Sequence, residues 1–161
     1  MVAVVLRPID EETLEALVRV AVDDAEPDEV MPPSAGPAGW TEQRQEAFRA
    51  FHRARRAGLA GPHEELGLAI VANGEAIGVI RLQRRCGARH EVGFWIARSR
   101  RGRGAGTAAL AALRSLAASL GVTELVAETT SDNAATLAML RRQGADLSPP
   151  DEHGIVHARF G

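Results

Sequence analysis

The chain has 161 residues, 45% of them hydrophobic, and a formal net charge of −2; this predicts one domain, residues 1–161, with a real core and gives no global pull toward nucleic acid or an anionic membrane. All 19 basic residues are arginine, tyrosine is absent, and the single cysteine, Cys86, excludes an internal disulfide and fits a reducing compartment. The N-terminal segment lacks the basic-then-apolar pattern of a signal peptide and no apolar run approaches the ~18 residues of a membrane span, so a cytoplasmic protein is expected.

Val2–Leu6 is short and β-branched and reads as a strand. Asp10 suits the cap of a helix whose apolar positions are Leu14, Leu17, Val18 and Ala21, at the i, i+3, i+4, i+7 spacing. The following stretch, rich in Pro, Gly and acid, reads as a loop. Thr41 suits the cap of a second helix running through Arg56, with Phe48 and Phe51 on one face. Two apolar runs around Asn73-Gly74 read as a hairpin closed by a type I′ turn. Residues 89–97 make another strand. A helix carrying Leu110, Leu113, Leu116 and Leu120 then stops at Gly121. A strand over 122–128, a short helix closed by Gly144 and a last strand over 155–160 complete the order β-α-α-β-β-β-α-β-α-β.

The sequence Arg101-Gly102-Arg103-Gly104-Ala105-Gly106-Thr107 stands between a strand and an amphipathic helix. Helix starts have N–H groups without intrahelical partners and partial positive charge, and small residues let an anion approach them closely. The stretch therefore reads as a phosphate or pyrophosphate cradle, with Arg101 and Arg103 adding charge-assisted hydrogen bonds. The rival reading, an arginine–glycine arm for RNA, calls for a long repeated tract in a basic, aromatic-rich chain, and only 4% of this one is aromatic. A plain solvated turn is the third reading. The absence of lysine excludes the Walker pattern, and Thr107 stands where a dinucleotide fingerprint needs its last glycine.

Arg101, Gly104 and Gly106 match the [Q/R]-x-x-G-x-[G/A] motif of the Gcn5-related N-acetyltransferases, and in this the chain resembles that superfamily. The strand Glu91-Val92-Gly93-Phe94-Trp95-Ile96 is similar to that of the branch containing ribosomal-protein N-terminal acetyltransferases. Asn133-Ala134-Ala135-Thr136 through Gly144 is similar to the family's N-x-x-A/S segment. The resemblance extends from residue 2 to 160 and implies a mixed α/β fold whose central, largely antiparallel sheet splays and is flanked by helices. It also implies acetyl-CoA as cosubstrate, no metal, and direct transfer to a primary amine in a ternary complex. By family position, the backbone of Phe94, Trp95 and Ile96 would pair with the pantetheine arm and polarise the thioester carbonyl. Gly102 through Thr107 would hold the pyrophosphate, and Asn133 would order the cofactor site. A non-catalytic acyl-CoA-binding regulator and an RNA-associated module are the alternatives.

Attack needs a neutral amine, so a group must take its proton. Glu128, five residues before Asn133, reads either as that base, by resemblance, or as a strand-end carboxylate paired with an arginine. Glu91 shares a strand face with Gly93 and Trp95, so Gly93 would leave space beside it; its other reading is a partner of Arg81 or Arg89. His90 reads as an exposed strand-end side chain. Many relatives place a tyrosine acid where this chain has Leu140, leaving Ser131, Thr136 or unassisted departure of the thiolate. Cys86 has no histidine partner by motif and reads as inert. Asp23, Asp24, Glu26, Asp28 and Glu29 lie where the family walls the acceptor site; they would attract a cationic amine or simply be solvated. Trp40 would pack over an acceptor or staple the second helix to the core. A small-molecule amine or a protein N-terminus fits as acceptor, and the working unit is expected to be a monomer or homodimer.

Overall fold

The computed structural model describes residues 2–161. In chain order the elements are β1 (Val4–Pro8), α1 (Glu11–Asp24), α2 (Pro27–Val30), α3 (Glu42–Arg53), β2 (Glu65–Ala72), β3 (Glu75–Arg84) and β4 (Arg89–Ile96). There follow α4 (Ala105–Ser119), β5 (Glu124–Thr130), α5 (Ala134–Arg142), β6 (Asp146–Leu147) and β7 (Ile155–Phe160). The seven strands form one sheet, ordered β1-β2-β3-β4-β5-β7-β6. All neighbours are antiparallel except β4 and β5. This is the mixed α/β architecture with a largely antiparallel sheet that the sequence predicts.

The sheet is split at its one parallel seam. β4 pairs with β5 only from Arg89↔Glu124 to Glu91↔Val126. Beyond Glu91, β4 continues to Ile96 along β3, and β5 continues to Thr130 along β7, with no ladder between them. The two strands diverge there, leaving one edge of β4 without a strand partner.

Each face of the sheet carries its own core. On one, Leu110 and Leu113 of α4 and Leu140 of α5 pack with Ile70, Ile80 and Val92. On the other, Leu14 and Leu17 of α1 and Phe48 of α3 pack with Ala69, Val79 and Trp95. The alternation read along β4 thus holds, with Val92 and Trp95 in opposite cores. The hairpin turn has the positive φ that a type I′ turn requires, 51° at Asn73 and 79° at Gly74. Asp10 caps α1 through the Thr13 N–H at 2.8 Å, and Thr41 caps α3 through the Arg44 N–H at 3.2 Å.

Three local readings need correction. α3 ends at Arg53, and a 3-10 turn over Gly58–Ala60 follows, so the expected run to Arg56 is one turn too long. The Pro- and acid-rich segment contains the short helix α2, which starts on Pro27 and is closed by a reciprocal Glu26–Glu29 capping box. β6 is an additional two-residue strand on β7. Trp40 is a staple: its indole N–H donates to the Ala25 carbonyl at 2.9 Å and its ring meets Phe48 edge-on at 5.9 Å.

Candidate active site

A 3-10 turn over Arg98–Arg100 delivers the chain from β4 to α4. Gly102 and Gly104 then adopt φ of 74° and 85°, values L side chains rarely tolerate, with nothing near their open α-carbons. α4 begins without a side-chain cap and without an acid in its first turn. Among the described residues, the N–H groups of Gly102 to Thr107 donate to no protein acceptor, and helical bonding begins with Ala108 N–H to Gly104 O at 3.0 Å. Gly106 serves packing instead: a Cβ there would sit 3.3 Å from Met139 Sδ and 3.4 Å from Ile96 Cδ1. The two arginines divide the work. Arg101 Nε donates to the Ile96 carbonyl at 2.8 Å and its Nη2 to Glu29 at 3.3 Å, so it ties the loop to β4 and α2. Arg103 is exposed and makes no side-chain hydrogen bond or ion pair among the described residues.

A groove of about 1790 Å³ meets this loop and is lined from both faces of the sheet. On the α4–α5 side its wall includes Phe94, Gly104, Thr107, Asn133 and Thr136. On the α1–α3 side it includes Phe51, His52, Arg55, Glu65 and Arg81. The side chains of Trp95 and Ile96 are buried in the two cores, so this part of β4 offers a ligand mainly its free backbone edge. Asn133 caps α5, its Oδ1 accepting from the Thr136 N–H at 3.2 Å.

Glu128 lies on the diverging part of β5, lines the groove and is half exposed. His157 faces it across β7, with Nδ1 3.3 Å from Glu128 Oε1 and Nε2 3.6 Å from Asp151 Oδ2. Hydrogen bonds from the Ile155 and His153 N–H groups hold the Asp151 carboxyl below its ordinary range. Among the described residues, Glu128 therefore pairs with a histidine and makes no arginine ion pair. Sequence reading missed His157; its register opposite Glu128 is the signal, and that register appears only once β7 is paired.

Glu91 is bound by Arg85 Nη2 at 2.9 Å and faced by Arg81 Nη2 at 3.6 Å, while Arg89 goes to Glu124. The space beside Gly93 is not open, because the Arg81 guanidinium fills it. Leu140 is 2% exposed and belongs to the core, so the position of the usual tyrosine carries no polar group. Thr136 borders the groove, whereas Ser131 is exposed outside its lining. Cys86 is exposed in the turn between β3 and β4.

Three of the five acids of the α1–α2 segment, Asp24, Glu26 and Glu29, turn toward the glycine loop, while Asp23 and Asp28 are exposed. Asp24 accepts from the Ser99 hydroxyl and from its N–H at 3.0 Å, which holds that carboxyl below its ordinary range. Burial pulls Glu29 up, but hydrogen bonds from Arg98 and the Glu26 N–H, with the Arg101 charge, leave it lowered. Glu26 also faces Arg98 at 3.7 Å. Asp24, Glu26 and Glu29 are thus bound to the glycine loop and its approach rather than left free to face the groove. What sequence reading missed is a buried cluster on the α1–α3 side of the groove. Glu65, 3% exposed, pairs with Arg55 Nε and with Arg81 Nη1, the latter at 3.1 Å. His52 beside it is pushed down to about 4 by burial and the Arg55 charge.

The profile of the acetyltransferase (GNAT) domain matches residues 3–146. The chain belongs to the GNAT acetyltransferase family. Solved GNAT-like structures agree over almost the whole chain. RimL, a ribosomal L7/L12 alpha-N-protein acetyltransferase in complex with coenzyme A, superposes with a TM-score of 0.73 at 20% identity, covering 98% of this chain and 93% of its own. Microcin C7 self immunity acetyltransferase MccE, in complex with acetyl-CoA and AMP, gives a TM-score of 0.74 at 16% identity, with 98% and 92% covered. An acetyltransferase from Agrobacterium tumefaciens str. C58 gives 0.67 at 22%, with 98% and 90% covered. At these identities the likeness is one of fold. Among curated proteins, none matches the chain significantly. Among the described residues of this GNAT chain, no helix is long and apolar enough to cross a membrane.

Proposed function

We propose that the protein transfers an acetyl group from acetyl-CoA to a primary amine by direct attack within a ternary complex. The observation that carries this reading is the divergence of β4 from β5, which leaves a free backbone edge leading to the unbonded N–H groups of Gly102–Thr107. That edge and loop fit a ligand with an extended amide-bearing arm and a pyrophosphate. The cosubstrate supplies an acyl group activated as a thioester.

The protein's own groups do the rest. The loop N–H groups and Arg103 hold the pyrophosphate, and the free edge of Phe94 to Ile96 holds the arm and stabilises negative charge on the carbonyl oxygen. Asn133 keeps the start of α5 in place against the groove. Glu128 takes the proton from the attacking amine, with His157 at 3.3 Å positioned to receive or share it. Glu91, engaged by Arg81 and Arg85, positions those guanidiniums. With Leu140 in the tyrosine position, departure of the thiolate rests on its own stability, since a thiol of pKa ~8.5 is a tolerable leaving group near neutrality.

Calorimetric titration with acetyl-CoA, using ATP as control, tests the site, and thiol release over an amine panel tests the activity. Gly104→Glu is expected to abolish acetyl-CoA binding. Glu128→Gln is expected to lower kcat by about 10²–10⁴-fold with binding intact. Unchanged turnover in Glu128→Gln would remove that residue from the proton path.

A further inference from the structure

The acceptor half of the groove is built around arginine. β2, β3 and β4 share a face on which Glu65, Arg81, Gln83, Glu91 and Gly93 are neighbours by register. Toward one end of these strands that face is apolar and covered by α1 and α3, with Ala69, Val79 and Trp95 buried beneath them. Toward the other end it is polar and borders the groove, where Arg55, two residues past α3, pairs with Glu65. Three guanidiniums, of Arg55, Arg81 and Arg85, gather around two carboxylates, Glu65 and Glu91, with the Glu128 carboxylate also within electrostatic reach of Arg85.

The donors are also incompletely used. Arg55 Nε is ion-paired with Glu65 without hydrogen-bond geometry, Nη1 donates to the Phe51 carbonyl at 3.0 Å, and the guanidinium carbon lies 3.6 Å from the centre of the Phe51 ring. Arg81 spends Nη1 on Glu65 and on Gln83, each at 3.1 Å; its Nη2 faces Glu91 at 3.6 Å, too far for a hydrogen bond, and its Nε makes none among the described residues. Those two nitrogens form the edge of the guanidinium that lies on Gly93: a Cβ there would stand 3.0 Å from each. Glycine at 93 is therefore what allows a guanidinium fork to lie against β4, one residue before the segment assigned to the thioester. Such a fork matches a carboxylate, two N–H donors to two oxygens. Three of the five acids that would favour a polycation, Asp24, Glu26 and Glu29, are bound elsewhere, to Ser99, Arg98 and Arg101.

We infer that the amine acceptor carries a carboxylate close to its amine, held by the Nε/Nη2 edge of Arg81 with Arg55 beside it, so that the substrate class is amino-acid-like rather than polyamine or aminoglycoside. This rests on the acyl-transfer reading above. The carboxylate would belong to a free amino acid or to an acidic residue at a peptide N-terminus. Glu65 is a positioning residue: buried between the two guanidiniums, it holds them toward the groove.

The test compares acceptors that differ only in that charge. Thiol release is measured with free amino acids and their carboxamides, with peptides beginning in Asp or Asn, and with spermidine. Acetyl-CoA binding is followed separately by calorimetry. The carboxylate member of a pair is expected to exceed its amide by about 10- to 100-fold in kcat/KM, the range of a charge-assisted hydrogen bond pair. A preference confined to free amino acids, or to Asp-initiated peptides, identifies the source. In Arg81→Gln the preference should disappear through KM, with acetyl-CoA affinity unchanged. Arg81→Lys, which keeps a charge beside Glu65, should retain only part of it. Amides or spermidine turned over as well as carboxylates by the unmodified protein would overturn the inference and leave the acyl-transfer reading intact. Absence of acetyl-CoA binding would overturn both.

Discussion

His52 shows how one side chain sets a pH limit on the fold. It lies on α3, 6% exposed, with its ring edge-on to Phe48 at 4.6 Å and to Phe51 at 5.2 Å. Nε2 is buried without a partner, and Arg55 lies on the same turn of chain. Burial and the Arg55 charge both oppose protonation and bring its pKa from 6.5 to about 4. The folded-state value lies below the unfolded one, so between them the unfolded chain binds the extra proton. The stabilisation is fully present above pH 6.5 and is lost as pH falls toward 4. Its size is roughly 3 kcal/mol, from 1.36 kcal/mol per pKa unit. His52→Leu, close in volume and without a proton to bind, is expected to flatten this limb of a denaturant-midpoint profile between pH 6.5 and 4. A limb of equal steepness in the variant would assign the acid sensitivity to other groups.

Among the helices, the contrast lies at their first turns. α1 and α3 begin with a side-chain cap and acids, Asp10 with Glu11 and Glu12, and Thr41 with Glu42. α5 has the Asn133 cap, whereas α4 has neither cap nor acid. Its N-terminal charge is left unneutralised, an arrangement that costs stability and suits an anionic ligand. Thr107→Glu places an acid in that turn. Apo stability is expected to rise by about 0.3–1 kcal/mol, while the rise in Tm on adding acetyl-CoA shrinks or vanishes. A variant that gains stability and keeps the full ligand-induced shift would show that the anion does not sit at α4. This loop was legible in the sequence because its chemistry is local: strand, two glycines of positive φ and helix start are contiguous. The hairpin at Asn73-Gly74 was legible for the same reason. α2 carried its signals too, Pro27 at the first helical position and the Glu26–Glu29 pair, but they were outweighed by the surrounding prolines and glycines. The destinations of Asp24 and Glu29 were not legible. Ser99 and Arg101 lie about 70 residues away, and only the packing of α1 and α2 beside the loop brings them into reach.

Across the whole molecule, the decisive feature is how far two neighbouring strands stay together. β4 and β5 are each ordinary strands by residue type, and nothing in either says that their ladder spans only Arg89–Glu91. That limit comes from what each strand packs on. β4 follows β3 to Ile96, and β5 follows β7 to Thr130, while α4 and α5 bury their leucines on the same face of the sheet. The separation leaves backbone donors and acceptors of β4 facing the groove, a cost that a ligand can relieve. Hydrogen exchange tests this directly. β4 residues 92–96 have one edge bonded to β3 and one free, so in the apo protein alternate amides should exchange slowly and quickly. Acetyl-CoA is expected to slow the quick set, together with the amides of 102–107, well beyond the uniform gain that any ligand gives through global stabilisation. Amides of the β2–β3 hairpin, already paired on both sides, should change only by that uniform amount. Protection spread evenly over the sheet would mean that ligand binding does not use the free edge. Protection concentrated on β6 and β7 would move the binding site to the opposite end of the sheet and detach the glycine loop from function.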